Sequence, residues 1–351
     1  VPHRIAVFPG DGIGPEVTSE ALSTLALAAP GLFEFAHFPH SAEHTLATGH
    51  TISHDELAAV RAGHDAVFLG ALGDARIPDH RHARDILLGM RTRFDLYVNY
   101  RPARLRGPTL TPLKGLGAGD IDLVIFRENT EGLYVDIGGR IRPDTADEIA
   151  FSQMVTTRSV TERLVRAAFT EARARPRARC CLISKHNAVT HTYGLWLRVF
   201  RAVAADFPDV AAEVLFVDVA AMELVRDPGR FDVIVASNLF GDILSDLAAQ
   251  LVGGLGLAPS GNLNLEPGRR FGLFEPVHGS APDLVGTGRA NPVAATLSAA
   301  MMARFLGEEV VATRLERACE DAIAARATTP DLGGTLDTRA AGEAIRARLE
   351  T

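Results

Sequence analysis

Short apolar runs alternate along the chain with longer stretches in which apolar residues recur every three or four positions. The runs are Ile5 to Phe8, Ala66 to Leu69, Leu123 to Phe126, Cys180 to Ile183, Val214 to Val217 and Phe231 to Ala236. Runs this short, bounded by turn residues, predict buried strands. The helix-period stretch after the first run opens at Pro15, whose fixed φ suits a first helical turn. Ser159 and Glu162 have capping-box spacing ahead of Leu164, Val165, Ala168 and Phe169, so a helix is expected from residue 160 and is broken by 173–179. The alternation as a whole predicts an α/β protein. Gly and Pro clusters at 107–119 and 253–268 are expected to be irregular crossings, and there is no internal repeat or low-complexity tract.

Composition narrows the class. The 351 residues are enough for about two domains. A net charge of -7 argues against nucleic acid, and the absence of any run of about 18 apolar residues argues against a membrane partner. Val1 to Phe8 reads as a strand and not as a leader segment. Cys180, Cys181 and Cys319 lack metal-ligand spacing and read as core residues in a reducing compartment, so a soluble, cytoplasmic protein is expected. Among 36 cationic residues only Lys114 and Lys185 are lysines.

Candidate chemistry starts at Asp242 and Asp246, one helical turn apart, whose oxygens would suit a hard cation such as Mg²⁺ or Mn²⁺. Leu239, Phe240, Ile243, Leu244 and Leu247 are expected to wrap that helix and withdraw the carboxylates from water. The alternative is that Asp242 caps the helix and Asp246 is solvated. PGDGIGPE (9–16) places Gly10, Gly12 and Gly14 after a strand in a loop similar to a phosphate cradle. Its spacing lacks the dinucleotide fingerprint, and no acidic residue ends a second strand about twenty residues on, so a Rossmann fold is not indicated; a tight turn is the alternative. Arg91, Arg101 and Arg127 could converge on a dicarboxylate through bidentate bonds, or stand on the surface. Tyr134 and Lys185 could transfer protons if cations and desolvation lower their pKa values; the alternative for Lys185 is a snorkelling strand-end side chain. Arg127, Lys185, Asp218 and Asn238 fall just after strands, either lining one crevice or serving as turn residues.

Taken in order, these segments resemble the metal-dependent β-decarboxylating dehydrogenases, the isocitrate/isopropylmalate dehydrogenase family. The motifs are PGDGIGPE (9–16), LLGMR (87–91) with Arg101-Pro102, RENTEGLY (127–134), SKHNA (184–188), VDVAAM (217–222), NLFGDILSD (238–246) and EPVHGSAPDLVGTGRANP (275–292). The branches most similar are the isopropylmalate, tartrate and D-malate dehydrogenases. The resemblance implies a two-domain α/β fold with a large mixed sheet flanked by helices, distinct from a Rossmann fold. Residues 1–98 and 254–351 would form the cofactor-side domain, and 99–253 a smaller domain carrying the dimer contact and the metal-binding aspartates.

It also implies a homodimer with shared active sites, acting on a small 2-hydroxy acid. Arg91, Arg101 and Arg127 would hold substrate carboxylates, with Tyr134 beside them. Lys185 and Asp218 would reach in from a second subunit, and Asp242 and Asp246 would complete the metal site. Asn187 would lie near the nicotinamide, Glu275, His278, Gly279, Ser280, Ala281, Asp283, Leu284 and Asn291 on the cofactor, and Gly10, Gly12 and Gly14 beside the cofactor cleft. Asp283 and Leu284 stand where NADP-dependent isocitrate enzymes carry Lys and Tyr, and a carboxylate there would repel a 2′-phosphate, so NAD is expected. A monovalent cation such as K⁺ is a further candidate. Leu87 and Leu88 match the pair that accepts a branched alkyl group, and Asp85 replaces the serine that reads an extra carboxylate in isocitrate enzymes. Arg84 stands where isopropylmalate enzymes have an acidic residue, either meeting an added anionic group or pointing to solvent. The expected reaction is oxidative decarboxylation of a 3-substituted malate, with tartrate, D-malate or a specialised malate analogue as alternatives. A metal-assisted phosphoryl-transfer or hydrolytic enzyme and a non-catalytic binding paralogue are the readings from other classes.

Overall fold

The computed structural model describes residues 1–349. Its strands are β1 (His3–Gly10), β2 (Phe33–His37), β3 (Ala66–Ala71), β4 (Val98–Arg104), β5 (Asp122–Glu128), β6 (Gly138–Ile141), β7 (Ile149–Ser152), β8 (Arg179–Ser184), β9 (Ala211–Phe216), β10 (Val233–Ala236), β11 (Pro259–Asn264) and β12 (Phe271–Pro276). The chain divides into two compact units. The first is Val1–Leu96, Pro102–Asp120 and Ala249–Thr351, of which 350 and 351 lie outside the described residues, and the second is Tyr97–Arg101 and Ile121–Ala248. Residues 102–120 therefore cluster with the outer parts of the chain, a different boundary from the one expected at 98/99.

In the first unit the strand order is β2-β1-β3-β12-β11. All neighbours run parallel except β11 and β12, which form an antiparallel pair. That pair makes the sheet mixed and separates it from the all-parallel Rossmann arrangement. Helix 14–28 carries Pro15 in its first turn and buries Val17, Ala21, Leu22, Leu25 and Ala28. Helix 293–305 is buried on almost every side, and its small side chains, Ala294, Ala295, Ala299, Ala300 and Ala303, let it pack against helices 14–28 and 309–324 as well as β11 and β12. The Gly and Pro cluster at 253–268 is not an irregular crossing, because it contains β11. Tertiary pairing with β12 overrides the weak strand preference of Pro259, Gly261 and Asn262.

In the second unit the order is β5-β10-β8-β9, all parallel, while β6 and β7 pair separately as an antiparallel hairpin. The run expected to end at Val217 stops one residue earlier, since Val217 opens the helix 217–226. Helix 158–174 buries Leu164, Val165, Ala168 and Phe169, the stripe its periodicity predicts, but it is not capped by Ser159. Thr157 is the N-cap: its hydroxyl accepts the amide of Val160 at 3.4 Å, and Glu162 pairs with Arg166 instead. The formed capping box lies elsewhere, where Ser53 and Glu56 exchange bonds at the start of helix 54–63.

Cap assignment is testable by unfolding in urea. Thr157→Ala is expected to cost about 1 kcal/mol, whereas Ser159→Ala should stay within about 0.5 kcal/mol of wild type. Reversed losses would return the cap to Ser159.

Candidate active site

In the second unit the end of β5 and the first turns of helix 238–251 bring the predicted charges together. Arg127 lies inside β5, with only 3% of its surface exposed. Its Nε and Nη2 donate to Asn238 Oδ1 at 3.0 and 2.8 Å, and its Nη1 donates to Asp242 Oδ1. Gly241 allows this approach, because a Cβ there would lie 2.6 Å from Arg127 Cβ and Cγ. From β4, Arg101 Nη1 donates to Ser245 Oγ at 2.7 Å and to Asp246 Oδ1 at 3.2 Å, and stands 3.4 Å from Asp242 Oδ1. Tyr134 Oη donates to Asp242 Oδ2 at 2.9 Å.

Arg101, Arg127, Tyr134, Asp242 and Asp246 thus form one constellation, and Asp242 is its shared acceptor. The expected apolar wrapping of the helix is only partial. Ile243 is 58% exposed, and the side chains of Asp242 and Asp246 are 34% and 52% exposed. Two guanidinium groups and a phenol balance the carboxylates from one side, while the remaining carboxylate surface faces water. Nor does Asp242 cap the helix, which begins four residues earlier at Asn238. Burial pushes the Asp246 carboxyl up, and the Asp242 charge adds to this against the pull of Arg101 and Arg127. Burial likewise pushes the Tyr134 phenol up, reinforced by Asp242. That is the reverse of the lowering expected from cations, and it leaves a phenol that keeps its proton and can donate it.

Lys185 follows β8 and Asp218 lies in the first turn of helix 217–226. Lys185 Nζ donates to Asp218 Oδ2 at 2.9 Å and stands 5.5 Å from the Phe216 ring centre, and this hydrogen bond holds the Asp218 carboxyl below its usual range. The two therefore form a pair of their own and not a snorkelling lysine. Within one chain Asp218 does not join Asp242 and Asp246, and among the described residues no cluster of three or more His, Cys, Asp or Glu could hold a metal. Asn187 is exposed in the turn after Lys185.

The first unit holds the other candidates. Gly10 and Gly12 have positive φ, and a Cβ at Gly10, Gly12 or Gly14 would lie 1.9 to 2.3 Å from the carbonyl oxygens of Ala71, Ser280 and Pro9 respectively. Packing of the chain on itself therefore accounts for all three glycines. Arg91 is buried, and its Nη2 donates to Glu275 Oε1 at 3.2 Å; Asn262 Nδ2 donates to the same oxygen at 2.8 Å. Glu275 thus orients a guanidinium whose Nε is buried and makes no hydrogen bond within the protein. Leu87 and Leu88 are half-buried, and Leu87 leans on the unit's apolar core. Arg84 is exposed, and Asp85 Oδ2 accepts from Thr51 Oγ1 at 2.8 Å.

His278 Nδ1 lies 3.0 Å from the Gly279 carbonyl, while burial pushes the imidazole down. The Ser280 carbonyl accepts the amide of Ile13, and Ala281 is left-handed at φ 40°, starting the turn Pro282–Leu284. Asp283 is exposed and makes no capping bond there. Asn291 Nδ2 donates to Asp331 Oδ2 at 2.8 Å. Asn262, Ser245 and Asp331 were invisible to sequence reasoning, because each acts through a residue on another element, 13 positions away for Asn262, 144 for Ser245 and 40 for Asp331.

The family model "Isocitrate/isopropylmalate dehydrogenase" matches residues 4–345. A 3-isopropylmalate dehydrogenase of Beutenbergia cavernae is 48% identical over 347 residues, covering 96% of this chain and 98% of its own, and one of Streptomyces coelicolor is 45% identical over 347 residues, covering 97% and 99%. Among solved structures, the isocitrate dehydrogenase of Methylococcus capsulatus is 37% identical with a TM-score of 0.90, covering 99% of this chain and all of that one. Fold and likeness together define a decarboxylating dehydrogenase that acts on a small-molecule substrate. The chain belongs to the isocitrate/isopropylmalate dehydrogenase family. Among the described residues no helix is long and apolar enough to cross a membrane.

His278 makes a pH prediction. Its folded pKa lies below the ordinary 6.5, so the unfolded chain takes up protons first on acidification. Its contribution to stability is complete above about pH 6.5 and is lost as the pH falls through 6.5 towards the folded value. The slope of Tm against pH between 7 and 5 should be shallower in His278→Asn than in wild type; identical slopes would remove His278 from the account.

Proposed function

We propose that the protein catalyses the NAD-dependent, divalent-metal-dependent oxidative decarboxylation of a 3-substituted malate, with 3-isopropylmalate as substrate. The observation that carries this reading is the convergence of Arg101, Arg127 and Tyr134 on Asp242, beside Asp246. It supplies carboxylate binders, a proton donor and hard-cation ligands in one place. The names of the curated relatives, at 45 and 48% identity over nearly the whole chain, support the choice of acid.

The donor set fits Mg²⁺ or Mn²⁺: two carboxylates one turn apart, each with exposed surface, and one pushed up by burial and by its neighbour. Asp218 of a second copy would complete the set. When bound, the cation would supply charge that favours loss of the substrate's hydroxyl proton and of CO₂, and NAD would supply the hydride acceptor. Arg101 and Arg127 hold the substrate carboxylates, and Arg91 contributes through its unpartnered Nε. Lys185 of the second copy, as the neutral amine after passing its proton on, would take the hydroxyl proton. Tyr134, protonated and already turned towards Asp242, returns a proton to the enolate. Asp283, exposed and making no capping bond, suits the ribose hydroxyls of NAD and repels a 2′-phosphate.

On this reading the first unit carries the cofactor residues, from Gly10, Gly12 and Gly14 to Asn291, and the second carries the metal aspartates and the dimer contact. The β6–β7 hairpin and its approach leave Ile137, Ile141, Ile149 and Phe151 46 to 50% exposed, an apolar surface for a second copy in a homodimer. The three buried, free cysteines suit the reducing cytoplasm. K⁺ is an assay variable.

NADH formation should require Mn²⁺ or Mg²⁺, stop on chelation, and be fastest with 3-isopropylmalate among that acid, D-malate, tartrate, isocitrate and homoisocitrate. Lys185→Met and Tyr134→Phe should each lower kcat by about 10²-fold or more while circular dichroism and Tm hold. Undiminished turnover in either variant would remove that residue from proton transfer, and preference for another acid would replace the substrate.

A further inference from the structure

Asp11 sits between Gly10 and Gly12, with its side chain only 4% exposed. Its carboxylate accepts the Ala42 amide at 2.6 Å on Oδ1, and the Gly73 amide at 2.8 Å and His82 Nε2 at 2.9 Å on Oδ2. Its own amide donates to the Ala71 carbonyl at 2.8 Å. His82 is fully buried. One carboxylate therefore ties together the 9–16 loop, the start of helix 42–48, the turn after β3 and the segment that begins at Arg81.

That last segment is irregular. Residues 84–88 form a π-helical turn, and the Gly89 amide reaches back to the Arg84 and Ile86 carbonyls. A π turn inserts an extra residue and rotates the side chains that follow about the helix axis. Such turns persist where tertiary contacts hold them. Here the contacts are His82 on Asp11 just before the turn, Asp85 on Thr51 within it, and Arg91 on Glu275 after it. Together with Ile86 and Met90, fully buried in the unit's apolar core, those three polar anchors hold the segment that carries Leu87, Leu88 and Arg91. Of the three, only His82 connects the segment to the loop beside Ser280, through the Ile13 amide on the Ser280 carbonyl at 2.9 Å.

We propose that Asp11 and His82 are positioning residues that fix the substrate-selecting segment 84–91 on the 9–16 loop, so that the pocket for the 3-substituent and the cofactor-side loops are set as one piece. This rests on the function proposed above. Both groups lie out of water, so each depends on the other: removing one leaves a buried polar group unpaired and frees the segment.

The test uses the full chain with His82→Leu, which removes the donor, and His82→Gln, whose amide places an N–H near the Nε2 position. His82→Asn, polar but too short to reach Asp11, replaces the leucine variant should that fail to fold. In His82→Leu, KM for the wild type's best acid should rise about tenfold with kcat changed by less than about threefold. The kcat/KM ratio between that acid and D-malate should narrow, and amide exchange should quicken at 84–91 more than in the rest of the chain, beyond what any fall in Tm spreads over the whole fold. His82→Gln should move KM back towards wild type. Unchanged KM and exchange in the leucine variant overturn the proposal, as does a uniform quickening of exchange with a fall in Tm and no rescue by glutamine. If the wild type turns over no acid, the functional reading fails, and the exchange comparison by itself decides the positioning.

Discussion

Arg127 is a guanidinium withdrawn from water inside a strand, and the second unit is arranged around satisfying it. A buried cation is costly unless it is both paired and hydrogen-bonded. Asn238 and Asp242 meet that requirement from the first turns of one helix. The requirement sets where the helix starts, excludes any side chain larger than hydrogen at Gly241, and fixes the carboxylate on which Tyr134 and Arg101 also close. Arg101, Arg127, Tyr134 and Asp242 are therefore held together by the protein's own hydrogen bonds.

The first unit solves a different problem, that of holding several loops close to one another. It does so with backbone approaches that only glycine allows at 10, 12 and 14, and with buried polar pairs: Asp11 with His82, Arg91 with Glu275 and Asn262, and Asn291 with Asp331. Each pair satisfies a polar group that would otherwise be stranded in the interior. These pairs keep the loops in register.

Much of this was legible along the chain. The strand ending at Ala236, which starts at Val233 and not at Phe231, the stripe Leu164, Val165, Ala168 and Phe169, and the spacing of Asp242 and Asp246 are recovered, because each is local: alternation, helical period and a four-residue step need no distant partner. The errors were local signals outvoted at a distance. Ser159 offered a cap, but Thr157 also bonds Glu131 across the fold. Residues 253–268 looked irregular, yet β11 gains its pairing from β12. The apolar residues near Asp242 suggested a carboxylate shut away from water, whereas the helix turns Ile243 outward and sets guanidinium groups opposite.

The sequence by itself determined the α/β class, the family and the identities of the residues that bear charge, because ordered motifs and periodicity are properties of the chain. Only the tertiary structure decided which charges meet. It joined Asp242 to Arg101, Arg127 and Tyr134, kept Asp218 with Lys185, and assigned Glu275 to Arg91. These contacts link residues far apart in the chain, and such pairings are chosen by burial and by the need to satisfy every buried polar group, a balance that no local pattern records.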